Sequence, residues 1–173
     1  MKDEPTLFRM LRTRFGYSDG FLITDDRDDP CFTVTLEGSG ALRYGLWDRD
    51  NCRRSLIRYN HLLMPYFTLR CDGRFYVLLP MLRPECSFAV YGSSYRFAGN
   101  AAEGVFAMMG ENDRPVMTQQ RVLCAGAQRE GYELKIFESD HLIFLLSAAV
   151  CADVFLSLSA PEEPFSGRVS PEP

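Results

Sequence analysis

The sequence predicts a mainly β fold: a closed, twelve-stranded antiparallel β-barrel around one buried C-terminal helix. Three observations carry this expectation. Strand-like runs bounded by turn residues recur about every eight to twelve positions up to Phe137, the spacing of a sandwich or barrel. The pattern then stops, and Asp140–Leu158 begins, a segment apolar on nearly every side. A helix of that kind must be buried. Finally, each part needs the other. About eight strands make a barrel that its own side chains fill, so twelve leave a lumen that an apolar helix can plug.

The runs begin with Thr6–Leu11, Phe21–Asp25, Cys31–Leu36 and Ala41–Asp48. Ser55–Asn60, Pro65–Cys71, Arg74–Leu82 and Cys86–Gly92 follow. Tyr95–Gly99, Gly104–Gly110, Val116–Val122 and Gly131–Phe137 complete the set. Alternation is clear in several of them. Phe32, Val34 and Leu36 oppose Cys31, Thr33 and Thr35, and Tyr132, Leu134 and Ile136 oppose Glu133 and Lys135. Such strands bury one face and wet the other. Asp72-Gly73 is the strongest hairpin signal, because a two-residue type I′ turn needs φ > 0 at both positions. Asp25–Pro30, Arg49–Asn51 and Glu111–Arg114 read as looser hairpin loops. Pro80 and Pro84 suggest an edge, a bulge or an early strand end near Leu82.

The helix is expected over about 140–158, with Ser139 or Asp140 capping its start. Pro161 marks its latest end. The uninterrupted apolar run Leu142–Ala152 extends only about 16 Å at ~1.5 Å per residue. A bilayer core is about 30 Å thick. Continuing to Leu158 would carry Asp153 into lipid, and no Lys or Arg cluster flanks the segment. A protein core is therefore the expected surrounding, with no transmembrane span. One domain is expected over 6–160, and the polar, proline-rich stretch 161–173 reads as a disordered tail.

Hydrophobic content of 46% and aromatic content of 13% suit a packed β protein. A net charge of −4 supplies no global field for nucleic acid. The opening Met1-Lys-Asp-Glu-Pro lacks the apolar run of a secretory leader, so a cytoplasmic setting with reduced thiols is expected. The six cysteines include no Cys-x-x-Cys pair, and Cys71, Cys86 and Cys151 fall in phase with apolar neighbours as small buried hydrophobes.

Few residues suggest chemistry. Arg49, Arg53, Arg54 and Arg58 put four guanidinia within ten residues, the densest cationic patch of the chain. Arginine matches phosphate bidentately, so an anionic headgroup site is one reading. A solvated face balanced by Asp48 and Asp50 is the other. On an undistorted strand Arg54 and Arg58 share one face and Arg53 points the opposite way. Arg9, Arg12 and Arg14 form a weaker second cluster. The carboxylates of Asp25–Asp29 fit a hard cation or, as a hairpin loop, Asx turns. His61 and His141 lack the spacing of a metal site, and no dinucleotide loop or nucleophile elbow occurs. No metal, cofactor or catalytic residue is expected. Asp153 is the odd residue of the helix, and pairing at the barrel rim is expected of it.

The chain also resembles the LURP-one-related family, within the Tubby C-terminal-like and phospholipid scramblase superfamily, over about residues 6–160. The matching stretches are Phe21-Leu-Ile-Thr-Asp with Pro30-Cys-Phe-Thr-Val, Leu46-Trp-Asp-Arg-Asp-Asn, the hairpin Tyr66–Val77 and Tyr95-Arg-Phe-Ala-Gly-Asn. The closing apolar helix with Asp153 near its end is similar to the family's central helix. The resemblance implies a twelve-stranded barrel around that helix, and little chemistry. It also implies a headgroup-binding surface, although Glu37-Gly-Ser-Gly, Leu79-Pro-Met and Gln119-Gln-Arg stand where relatives carry more cations. The expected function is thus non-enzymatic binding. One partner class is an anionic phospholipid headgroup or membrane surface met through Arg49–Arg58. The alternative is a protein partner anchored by Tyr44, Trp47 and Tyr59.

Overall fold

A computed structural model describes residues 4–15, 18–38, 42–61, 63–81, 86–124 and 129–159. Twelve strands run as one continuous up-and-down meander: β1 (Thr6–Phe15), β2 (Ser18–Asp25), β3 (Pro30–Leu36), β4 (Arg43–Asp48), β5 (Arg53–Asn60) and β6 (Tyr66–Cys71). They continue as β7 (Arg74–Met81), β8 (Cys86–Tyr91), β9 (Arg96–Asn100), β10 (Val105–Met109), β11 (Pro115–Cys124) and β12 (Arg129–Ile136). Every strand pairs antiparallel with its sequence neighbours, and β12 closes on β1. Closure removes free sheet edges, the usual liability of a long meander. A 3₁₀ turn, Ser139–His141, leads into the helix α1 (Leu142–Ser159), which threads the lumen.

Alternation sets which side chains enter that lumen. Phe8 and Met10 of β1, Phe67, Leu69 and Cys71 of β6, and Tyr132, Leu134 and Ile136 of β12 are all buried. The helix supplies the other half of the core, buried without a break from Ile143 to Val154. Phe144 is 1% exposed, and its ring lies 4.2 Å from that of Tyr76 and 5.9 Å from that of Tyr95, centroid to centroid. Further along, Phe155 meets Phe88 edge-on at 5.6 Å. Burying each large apolar side chain contributes about 1.5–3 kcal/mol, which is why an all-round apolar helix is stable only in such a sheath. By length and mean hydropathy (2.2), Ser139–Ser159 would suffice to cross a membrane; the barrel wall takes the place of lipid here.

Polar groups in the core are few. The Ser147 hydroxyl donates to the Ile143 carbonyl (2.7 Å) and lies 2.9 Å from the Ser55 hydroxyl, tying helix to wall. Gln119 Nε2 reaches the Ala149 carbonyl at 3.5 Å.

Turn chemistry follows the sequence closely. Asp72 (φ 51°) and Gly73 (φ 71°) form the tight β6–β7 hairpin. Asp25 Oδ1 accepts from the Arg27 and Asp29 amides, and Asp48 Oδ1 from the Asp50 and Cys52 amides, at 2.9–3.1 Å. These are Asx turns, so the acidic loop Asp25–Asp29 shapes a hairpin, and no metal-binding cluster occurs among the described residues.

Several boundaries differ from expectation. β1 and β2 extend to Phe15 and from Ser18, because the backbone ladder continues under polar side chains such as Arg12, which pairs with Phe21. Pro80 is not at an edge of the closed barrel. It lies beyond the last β6–β7 pair, Phe67↔Leu78, and opposes Phe88 of β8, where its missing N–H breaks no β6 bond. The start of the helix is satisfied by backbone: the Leu142 amide donates to the Ser139 carbonyl, and side-chain capping by Ser139 or Asp140 is replaced by the 3₁₀ turn. The segments containing Leu82, Pro84 and 161–173, and the side chain of Cys86, lie outside the described residues.

Candidate functional site

The barrel has two ends. At the lower rim the helix begins, near the β6–β7 hairpin and the β2–β3 and β4–β5 turns; at the upper mouth the helix leaves.

Arg49 belongs to the lower rim but not to a site. Its Nε donates to the Pro30 carbonyl (2.5 Å), and its Nη2 lies 3.5 Å from Asp25 and 3.2 Å from the Cys31 sulfur. It braces one hairpin turn against the next. Arg53 is turned outward by a register shift between β4 and β5: Leu46 pairs with Ser55, yet Trp47 pairs with Arg53. The bulge overturns the simple alternation that would send Arg53 to the opposite face from Arg54. Its guanidinium sits 5.9 Å from the Trp47 ring and 3.5 Å from Glu37. Arg54 lies 3.3 Å from Asp48 and 3.9 Å from Asp72. Arg58 is exposed on β5 between Arg43 of β4 and Thr68 of β6, and makes no ion pair among the described residues.

Two of these arginines join two that sequence reasoning passed over. Arg53, Arg54, Arg70 and Arg74 line a groove of about 750 Å³ along the outer wall of β5–β7. Arg70 alternates outward between Leu69 and Cys71, and the type I′ turn brings Arg74 beside it, since Cys71 pairs with Arg74. Leu56 and the half-exposed ring of Phe75 give the groove an apolar side, with Arg70 stacked 5.9 Å over Phe75. The carboxylate within the groove is Asp72, against four guanidinia. Asp48 stands behind Arg54; the Cys52 amide first, then Arg54, holds its carboxyl below the ordinary range. It therefore stays charged and orients Arg54. The signal available in the sequence was the outward phase of Arg70 next to an Asp-Gly hairpin.

At the upper mouth, Asp153 is 8% exposed and pairs with Arg12 at 2.5 Å, as its place near the end of an apolar helix requires. Arg12 also donates to Ser157. Arg9, of the same sequence cluster, pairs with Asp28 at the other end of β1; the side chain of Arg14 is outside the described residues.

The expected protein-partner anchors are otherwise engaged. Tyr44 faces the lumen, Trp47 donates to Thr35 Oγ1 (3.1 Å) beneath Arg53, and Tyr59 stacks on His61 and meets the Phe67 ring at a tilt. His141 lies edge-on to Tyr95.

No protein-family model matches the chain, and no curated protein matches it. Among solved structures, the X-ray structure of a protein from Arabidopsis thaliana is similar, with a TM-score of 0.62 at 17% identity, covering 88% of this chain and 93% of that one. At that identity the likeness concerns the fold: a twelve-stranded barrel around a helix, of the Tubby-like kind.

Proposed function

We propose that the chain is a non-enzymatic binding module of the LURP-one-related type, which docks on anionic phospholipid headgroups through the lower-rim groove. The observation that carries this reading is the charge of the groove. Four guanidinia line the groove while Glu37 and Asp48 stand behind Arg53 and Arg54 and Asp72 lies at its end, so a cationic excess centred on Arg70 and Arg74 favours an oxyanion ligand, and arginine's planar fork suits phosphate. Phe75, 52% exposed, and Tyr91, 57% exposed on the adjoining β8, add apolar surface of the kind that sits at a lipid interface. The strand motifs shared with the family, and the barrel itself, support the same assignment.

Flotation of the full chain with vesicles tests it. Phosphatidylcholine vesicles containing phosphatidylserine should carry the protein, and pure phosphatidylcholine should not. Near an anionic surface each cationic side chain contributes ~1 kcal/mol. Arg70→Glu/Arg74→Glu should therefore lower partitioning by tenfold or more. Equal, negligible flotation with both vesicle types removes the proposal.

A further inference from the structure

The outer wall has a second feature, which begins beside the lower-rim groove and runs up β7. The strands β5 to β9 contain no Asp or Glu, and they carry Arg53, Arg54, Arg58, Arg70, Arg74 and Arg96. Carboxylates outside these strands answer part of that charge: Glu37 meets Arg53, Asp48 and Asp72 meet Arg54, and Asp113 meets Arg96. Arg58, Arg70 and Arg74 make no ion pair among the described residues. On β7 the outward positions are all apolar: Phe75, Val77, Leu79 and Met81 alternate with the inward Tyr76, Leu78 and Pro80. Phe75 and Met81 are exposed, Val77 and Leu79 half-buried, and together they form a stripe about 20 Å long at ~3.3 Å per residue. Tyr91 and Ala89 of β8 lie in register with Val77 and Leu79 and widen it. A strand with water on one face ordinarily alternates apolar-in with polar-out. β12, on the far side of the barrel, does so, with Glu133 and Lys135 paired outward at 3.3 Å.

We infer that this stripe is a membrane-lying face: the barrel rests on an anionic bilayer along β7, with Leu79 and Met81 seated at the interface as well as Phe75. This orientation rests on the headgroup reading of the groove and extends it from one site to the whole domain. Shape and charge select the occupant. A barrel wall is convex, and a convex wall meets a flat surface along a line, which suits a stripe one to two strands wide. Arg58, Thr68, Val77 and Tyr91 lie in one cross-strand row. Neighbouring strands are ~4.8 Å apart, so Arg58 flanks the stripe at about 10 Å. Arg70 and Arg74 stand at its lower end, beside Phe75. Arginine stems lie along apolar surface while their heads reach polar groups, here lipid phosphates. Apolar area and attraction to anionic lipid act together in interfacial binding. A second copy fits less well, since a two-fold contact would set the same arginines against each other.

Depth-sensitive fluorescence of the full chain tests it. Leu79→Trp on the stripe and Lys135→Trp on the far wall each add one indole to Trp47, and each is compared with the unsubstituted chain. On vesicles of phosphatidylcholine and phosphatidylserine, the emission that Leu79→Trp adds should shift to the blue. It should also be quenched at least twofold when the phosphatidylcholine is brominated. Lys135→Trp should show neither change. Leu79→Ser/Met81→Ser should lower flotation about fivefold, although it leaves Arg70 and Arg74 untouched. Leu79→Trp keeps an apolar side chain at an outward position, so the quenching result does not depend on the serine variant. Flotation of the unsubstituted chain with an unquenched Leu79→Trp overturns this orientation and spares the headgroup reading. Equal quenching at both positions, or flotation that the serine variant leaves unaltered, does the same. Absence of flotation removes both readings together. A dimer in sedimentation that Leu79→Ser/Met81→Ser abolishes assigns the stripe to a second copy and overturns the membrane-lying face.

Discussion

The two ends of the barrel place arginine on opposite sides of the same wall. At the lower rim, Arg53, Arg54 and Arg70 stand outside it, face solvent and meet carboxylates at 3.3–3.9 Å or an aromatic face. At the upper mouth, Arg12 stands inside and meets a buried carboxylate at 2.5 Å. A shift of one residue along a strand makes that difference, because side chains alternate across it. The consequence is energetic. An outer arginine can lose its partner at little cost, since water solvates both charges. The inner pair is costlier to break, because Asp153 is mostly buried and would be left without its guanidinium partner.

The largest effect that sharpens this inside-outside contrast lies in the core. Phe144→Ala removes a ring packed between Tyr76 and Tyr95 and should lower stability by about 3–5 kcal/mol in urea unfolding. Phe75→Ala, the same chemistry on the outer wall, should stay within about 0.5 kcal/mol. Similar losses for both would mean that the helix is not the centre of the core.

Arg12→Leu comes next. It leaves Asp153 buried with its main partner gone, and should cost about 1–3 kcal/mol. Arg12 is 46% exposed, which keeps the figure below that of a fully buried pair. Arg12→Leu/Asp153→Leu should recover most of the loss, because removing both charges removes the unmet one. Arg58→Leu, on the outer wall, should be neutral within about 0.5 kcal/mol. Thermal unfolding of the three variants checks the set, and failure of the double variant to recover would show that Arg12 acts through packing on Phe21 rather than through charge.

The same contrast explains what could be read from the sequence. The twelve strands and the buried helix were legible because apolar periodicity changes character once, near Phe137, and both patterns are long. The Asp72-Gly73 turn was legible because its backbone admits few other residues. The groove was only half legible. Arg53 and Arg54 lie in one short run, but the bulge that turns Arg53 outward depends on the partner strand β4, and Arg70 and Arg74 arrive from the next hairpin. Arg49 looked equivalent to them and is instead absorbed by the Asp25–Pro30 turn. The upper mouth was legible as a need of Asp153, but not as a pairing. Nothing local links Arg12 to a helix residue 141 positions away.

Titration separates the two regions by the side of the pH scale on which each responds. The inner groups are acids kept neutral. Burial first, then the negative charge of Asp153, pushes the Tyr132 phenol up to about 12, and burial pushes the Cys71 thiol up to about 12. In the unfolded chain a phenol ionises near 10 and a thiol near 8.5. Stability from these groups is therefore complete below those values and is lost as pH rises toward about 12. The outer groups behave oppositely. The Asp29 amide holds Asp25, and the Cys52 amide Asp48, below the ordinary carboxylate range. Their contribution is complete above about pH 4 and is lost as pH falls through their lowered values. Unfolding free energy measured from pH 3 to pH 11 should thus fall at both ends. Cys71→Ala should flatten only the alkaline fall, and Asp48→Asn only the acid one, the smaller of the two because its turn is exposed. A single variant that flattened both would mean that rim and core unfold as one electrostatic unit, and the division between inner and outer arginines would lose its basis.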